Sequence, residues 1–343
     1  MSATVFSLGT FSTDGRSPFG GVVVNDRVVS LSAIQRWLVE QGAQAFGAES
    51  VLGLLEQWDA NFPHLQHAAD TFASGRAPSL NGAALAVSAL TLHAPVHLPR
   101  HIYCSGANYK KHVVQIIVAQ AMEETKNMSP EARRAWGQKK MDERASRGTP
   151  YFFLKPQSTV TGPLSEVIIP TDVEQADWEL ELGVVMGRAA RRVKREKALD
   201  FVAGYTIVND ITSREHVNRK VGDLRELGMN WVASKGSPTY LPMGPWLVPA
   251  VFVPDPQNVR LTLRLNGQTM QDESTEDMIF GVARLIEDVS RFVELQPGDI
   301  ICTGSPAGNG MHYGRFLKPG DVIESTITHL GTQRNVCVAE KQS

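Results

Sequence analysis

The sequence predicts a mixed, mostly β fold in two parts, and three observations carry that prediction. At 343 residues the chain exceeds what one hydrophobic core usually supports, so a main domain with a smaller companion is expected. After Pro150 the chain is a succession of β-branched, apolar runs punctuated by glycine and proline. Within that half only one segment has clear helical periodicity. With 42% hydrophobic and 20% charged residues, the composition is that of an ordinary folded protein.

In chain order, Val22 to Leu31 (VVVNDRVVSL) has two β-branched pieces around Asn25-Asp26, a hairpin signature. Glu49 to Phe72 has a helical pattern, and Pro63 is expected to split it. The two prolines of APVHLPR set a boundary near Val96, giving a small β-rich domain over 1–95 and a larger one over 96–343. From Lys110 to Arg147 a helical hairpin is expected, apolar first and then highly charged. Its second helix starts at Ser129-Pro130, with serine as cap and proline at the first helical position. The strands YFFLK, EVIIP, WELELGVVMG, VAGYTIVND, PWLVP, VRLTLRLNG, DIICTG and DVIESTI follow. One helix, TEDMIFGVARLIEDVSRFV, should lie on the sheet through Met278, Val282, Leu285, Ile286, Val289 and Phe292.

Composition removes several function classes. A net charge of −2 gives no electrostatic footprint for nucleic acid. Val113 to Met122 is broken by Gln115 and Gln120 and is too short to cross a bilayer, so no membrane span is expected. The start, MSATVFSLGTFSTDGRS, lacks a basic segment followed by an apolar one. Cys104, Cys302 and Cys337 are odd in number and far apart, which fits reduced thiols in a cytoplasmic protein better than disulfides or a zinc site.

The chemistry concentrates in WELELGVVMG. On a strand, Glu179 and Glu181 share one face while Trp178, Leu180 and Leu182 share the other. Two like charges in a run ending Val-Val-Met are costly without compensation, and a bound cation is the simplest one. Asp210, ending GYTIVND, could complete an oxygen-only set suited to a hard cation such as Mg²⁺. The alternative is a solvent-facing acidic stripe. His112, at the start of the helical hairpin, is a candidate general base; an exposed helix histidine is its bland counterpart. Lys155 in FFLKP, Lys235 in ASKGSPTY and Arg214 are candidates for anionic oxygens, or else solvated cations. TGSPAGNG (303–310) provides tight turns and close backbone approach, without the lysine of a P-loop. Ser305 lacks nucleophile-elbow spacing.

In order, the stretches G-x-N-Y-x-x-H (Gly106 to His112), FFLKP, the E-x-E strand, NDITSRE, SKGSPTYLPMGPWLVP, LNGQTMQDESTEDMIF and LQPGDIICTGSPAG resemble the fumarylacetoacetate hydrolase superfamily from about Ile102 to Val336. The resemblance implies a β-roll around the metal, a helical lid over about 110–147 and a homodimer. It implies Mg²⁺ or Mn²⁺ on Glu179, Glu181 and Asp210, and Lys235 and Thr239 beside it. Tyr109, Lys155, Arg214 and Thr303 are implied as substrate contacts, and His112 as the base that activates water, with Gln115 orienting its ring. The implied substrate is a small 2-oxo or 1,3-dicarbonyl acid, with C–C hydrolysis of an acylpyruvate or fumarylacetoacetate-like compound in the setting of aromatic catabolism. A 2-oxo acid lyase or isomerase is the alternative, and a non-catalytic scaffold a third. Three departures stand out: Gln115 replaces the glutamate of H-x-x-E, Ser105 replaces a metal-binding aspartate of the fumarylacetoacetate hydrolases proper, and the stretch from His112 to FFLKP is longer than in common bacterial members.

Overall fold

The computed structural model describes residues 3–120, 124–218 and 228–341. Three larger sheets dominate it, with helices on their flanks.

The first sheet has five strands in the order Leu85–Ala86, Arg27–Ser30, Phe19–Val24, Ser7–Ser12, Thr91–His93. The expected hairpin is there, with Asn25 and Asp26 both at positive φ (49° and 58°), as a two-residue type I′ turn requires. Helices missing from the sequence reading cover this sheet. Leu31–Glu40 is capped by Ser30, which accepts from the Ala33 amide at 3.2 Å, and buries Leu31, Ile34 and Leu38. Its cap and its i, i+3, i+7 apolar spacing follow directly after a strand, so the β signal ahead of it masked the change of period. The pattern from Glu49 to Phe72 forms two helices, Val51–Leu55 and Trp58–Ala73, but the break falls at Glu56-Gln57 and not at Pro63. Proline in the second turn of a helix forfeits one backbone bond, and the buried face of Trp58, Asn61, Leu65, Ala69 and Phe72 outweighs it.

The central sheet has six strands: Val248–Pro249, Val202–Asn209, Leu180–Met186, Ile300–Cys302, Ile102–Ser105 and Phe152–Leu154. The third runs Gln268–Ser274, Arg260–Leu265, Val322–Ile327, Gly331–Ala339, Val167–Ile169. Residues on both sides of Val96 share one apolar cluster: Leu8, Ile34, Leu54 and Leu65 pack with Val185, Ala203, Ile300 and Cys302. Leu8 also exchanges backbone hydrogen bonds with Leu247, at 2.8 and 2.9 Å.

The hairpin of helices is Lys110–Gln120 and Pro130–Arg147, with Ser129 accepting from the Ala132 amide at 3.2 Å and Pro130 in the first turn. The late helix is shorter than its sequence pattern, Val282–Ser290. Asn108 clamps the backbone of Phe280 on both sides, and Met278 bridges Tyr109, so the stretch before Gly281 is held extended. Phe292 lies beyond the helix, 75% exposed.

Strand register creates the functional centre. Leu180 pairs with Asn209, and the Asp210 amide donates to the Glu179 carbonyl at 2.9 Å, so Asp210 leaves its strand beside Glu179. On the other side Gly183 pairs with Cys302, so the chain after Cys302 leaves beside Glu181. Three strands therefore end their pairing at one edge of the sheet.

Candidate metal centre and active site

Trp178, Leu180 and Leu182 enter the apolar core, which forces Glu179 and Glu181 to the opposite face. One oxygen from each of Glu179, Glu181 and Asp210 lies within 4.8 Å of the others, and all three residues are buried. Three bases surround them. Lys235 donates to Glu179 Oε2 (2.7 Å), Asp210 Oδ2 (2.6 Å) and the Asp210 carbonyl (3.0 Å), which uses all its N–H bonds. Lys155 binds Asp210 Oδ1 at 2.8 Å and the Ile211 carbonyl at 3.2 Å. Arg214 bridges Asp177 Oδ2 (Nε, 2.8 Å) and Glu179 Oε1 (Nη2, 2.6 Å).

Asp177 is a member that the sequence reading missed. It accepts from Arg214 and from the amides of Gly310 (2.6 Å) and Met311 (3.2 Å), tying the arginine to the glycine-rich loop. Its signal was in plain sight, since Asp177, Glu179 and Glu181 alternate along DWELE. Asn209 was also missed; its side-chain oxygen accepts from the Glu179 amide at 2.8 Å.

Four acids against three bases leave one negative charge in excess, and it falls unevenly. Burial would raise the Glu179 carboxyl, but Lys235 and Arg214 hold it down to about 2. Glu181 has no cationic hydrogen-bond partner among the described residues; its Oε2 accepts from the Gly304 amide at 2.7 Å. Burial first, then the neighbouring Asp210 and Glu179 charges, push it well above the ordinary range. A buried carboxylate lacking positive charge, in an oxygen-only cluster, fits a hard divalent cation such as Mg²⁺ or Mn²⁺. Gly304 is required for this arrangement. Its φ is +93°, and a Cβ there would stand 2.9 Å from Asn108 Cβ and 3.1 Å from the Ser105 carbonyl.

A cavity of about 340 Å³ opens onto the cluster and is lined by Glu179, Glu181, Asp210, Arg214, Lys235 and His112, among others. His112 is 8% exposed, and burial lowers its imidazole to about 4, so it is a neutral acceptor at neutral pH. Gln115 does not orient its ring through the amide oxygen as expected. That oxygen accepts from the Gly308 amide at 3.2 Å, a backbone donor that the glycine-rich loop presents to it. Two acids further along the same hairpin are the nearest substitutes in sequence for the missing glutamate; Glu124 is exposed and Glu123 lies outside the described residues.

Other expected contacts sit behind the site and do not line this cavity. Thr303 donates to the Leu182 carbonyl at 2.9 Å. Thr239, at φ +67°, accepts from the Ile168 amide at 2.8 Å. Tyr109 is fully buried, and burial, with Glu181 nearby, pushes its phenol well up. Lys155 is committed to Asp210. All four support the elements that carry the cluster.

Residues 101–338 match the family model described as fumarylacetoacetate (FAA) hydrolase C-terminal. The chain belongs to the fumarylacetoacetate hydrolase superfamily. It is 44% identical over 188 residues to the 2,4-didehydro-3-deoxy-L-rhamnonate hydrolase of Sphingomonas sp. (strain SKA58), covering 54% of this chain and 64% of that protein. To the human mitochondrial oxaloacetate tautomerase FAHD2B it is 33% identical over 253 residues, 73% of this chain and 70% of that one. Its fold is similar to that of a fumarylacetoacetate hydrolase from psychrophilic Exiguobacterium antarcticum, with a TM-score of 0.70, 25% identity, and coverage of 98% and 100% of the two chains. The superfamily thus supplies hydrolases and tautomerases as this chain's relatives, and the β-rich fold expected from the sequence is the fold observed. Among the described residues no helix is long and apolar enough to cross a membrane.

Proposed function

We propose that this chain is a metal-dependent hydrolase that cleaves a C–C bond in an acylpyruvate-like 1,3-dicarbonyl acid. One observation carries the reading: His112 and Arg214 line the same cavity as the three carboxylates. Glu179, Glu181 and Asp210 would hold Mg²⁺ or Mn²⁺, which when bound supplies Lewis-acid charge for substrate oxygens. Lys235 and Lys155 fix the carboxylates in place. Arg214 keeps N–H groups beyond those given to Asp177 and Glu179, and these suit the substrate carboxylate. His112 takes a proton from water as the water oxygen bonds to the distal carbonyl carbon. The C–C bond then breaks, its electron pair stays on the carbon next to the 2-oxo group, and reprotonation there yields a carboxylic acid and a 2-oxo acid.

The names of the Sphingomonas and human relatives both denote 2-oxo acids as substrates, which supports that head group here. A second reading, tautomerisation or isomerisation, is favoured by Gln115, which turns to Gly308; among the described residues of the helical hairpin His112 has no acid partner. Proton transfer at carbon needs a base but no attacking water. Incubating acylpyruvates and 2-oxo acids with the protein and Mg²⁺ or Mn²⁺ separates the two: hydrolysis releases a carboxylic acid, whereas isomerisation changes the enol absorbance with no fragment. A cytoplasmic homodimer belongs to the same proposal, supported on the first point by three free, buried thiols.

A further inference from the structure

The cavity over the carboxylate cluster has two unlike ends. One is the charged cluster itself. The other is a ladder of aromatic rings that starts at Lys235, whose ammonium lies 5.4 Å from the centre of the Phe153 ring. Phe153 stacks on Trp231 with centroids 4.3 Å apart and planes 9° off parallel, and Tyr151 follows at 6.3 Å from Trp231. All three rings line the cavity, with Met229 beside them. Trp231 and Lys235 are the first and last residues of the helix Trp231–Lys235, so i and i+4 share a face and the ring stands one turn from the ammonium. The cation set is uneven in the same sense. Among the described lining residues, Lys235 is saturated by Glu179 and Asp210, and Arg214 is anchored on Asp177 and Glu179 with its spare N–H groups at the charged end. No cation among them remains for the ring end.

We infer that the substrate is a 2-oxo acid with a single carboxylate and an uncharged, apolar group at its far end, and that Trp231 selects that group. The inference rests on the proposed reading that a 2-oxo acid binds with its head at the carboxylate cluster. A second carboxylate at the ring end would meet the negative faces of the rings, which disfavour an anion. An alkyl or aryl acyl group there exchanges water for aromatic surface. The volume of about 340 Å³ is on the scale of small-ligand sites, roughly 300–1,000 Å³.

The test separates binding from turnover. With saturating Mg²⁺, calorimetry should show phenylpyruvate bound at least about tenfold more tightly than 2-oxoglutarate, the size expected for burying part of a ring. Trp231→Ala should close most of that gap, and Trp231→Phe should keep it. In turnover, Trp231→Ala should lower kcat/KM for benzoylpyruvate by about tenfold more than for acetylpyruvate, which has the same head and a short tail. Val232→Ala, on the same helix and 73% exposed, should change neither. Equal or tighter binding of 2-oxoglutarate overturns the inference, as does an equal loss on both acylpyruvates in Trp231→Ala, which marks a merely structural tryptophan. If Trp231→Ala does not fold, the parent comparison decides alone. A protein that prefers phenylpyruvate yet cleaves no acylpyruvate keeps this inference and loses the hydrolase reading.

Discussion

At the scale of single residues, the centre is an exchange of partners among buried charges, and removing one partner strands another. Glu181 is the member whose charge is least compensated, so Glu181→Ala should abolish the stabilisation that Mg²⁺ confers on the parent. Gly304→Ala should act on the same carboxylate indirectly. With φ +93° and Asn108 Cβ at 2.9 Å, an added methyl must shift the loop whose amide holds Glu181. A stability loss of about 1–3 kcal/mol is expected, together with weaker Mg²⁺ binding by calorimetry. For the base, His112→Ala should lower kcat at least about a hundredfold on the true substrate. Gln115→Glu should leave or raise hydrolytic activity, because a carboxylate at 115 still accepts from Gly308 and adds negative charge near His112. Near-parent kcat in His112→Ala would end the water-activation mechanism and leave a reading in which the metal alone suffices.

At the scale of elements, two pieces invite measurement. The helix Pro130–Arg147 buries only Gly137 and Met141, whereas Lys110–Gln120 carries His112, Val113, Val114 and Ile117 inward. If the pair acts as a lid, hydrogen exchange should slow over Lys110–Gln120 when oxalate and Mg²⁺ are added, with Pro130–Arg147 exchanging faster in both states. Uniformly strong protection with and without ligand would make the hairpin a fixed element. The second piece is the turn before strand Val322–Ile327. Burial of Asp321 alone would raise its carboxyl, but Arg315, Asn266 and the Lys318 amide hold it below the usual carboxylate range. A carboxyl depressed in the folded state contributes stability above its unfolded value and loses it as pH falls through the folded one. Asp321→Asn should therefore lower the melting temperature at neutral pH, and the difference from the parent should shrink as pH falls below about 4. A difference independent of pH would assign the effect to packing.

At the scale of the whole molecule, the carboxylate cluster sits where the central sheet meets the glycine-rich loop and the helix Lys110–Gln120, so a ligand there should couple all three. Adding Mg²⁺ to metal-stripped protein should raise the melting temperature, by an amount equivalent to about 3 kcal/mol at a hundred times the dissociation constant. Identical melting in Mg²⁺ and EDTA would remove the metal from the reading. Size-exclusion chromatography with light scattering checks the proposed homodimer against the 37.6 kDa chain.

Much of this architecture was legible in the chain. Alternation in WELEL determined that Glu179 and Glu181 share a face, and the Asn25-Asp26 pair determined a hairpin, because side-chain period and turn chemistry are local properties. The ordered motifs from Gly106 to Gly308 identified the superfamily. Tertiary structure decided which partners the side chains chose. Gln115 faces Gly308 and Thr239 faces Ile168, each accepting from a backbone amide that the fold brings to it, and nearness across 193 and 71 residues is not written locally. Asp177 joined the centre because strand register carried it to Arg214. The late helix begins only after Gly281 because Asn108, 172 residues earlier, holds Phe280 extended, a long-range clamp that outweighs a continuous helical pattern.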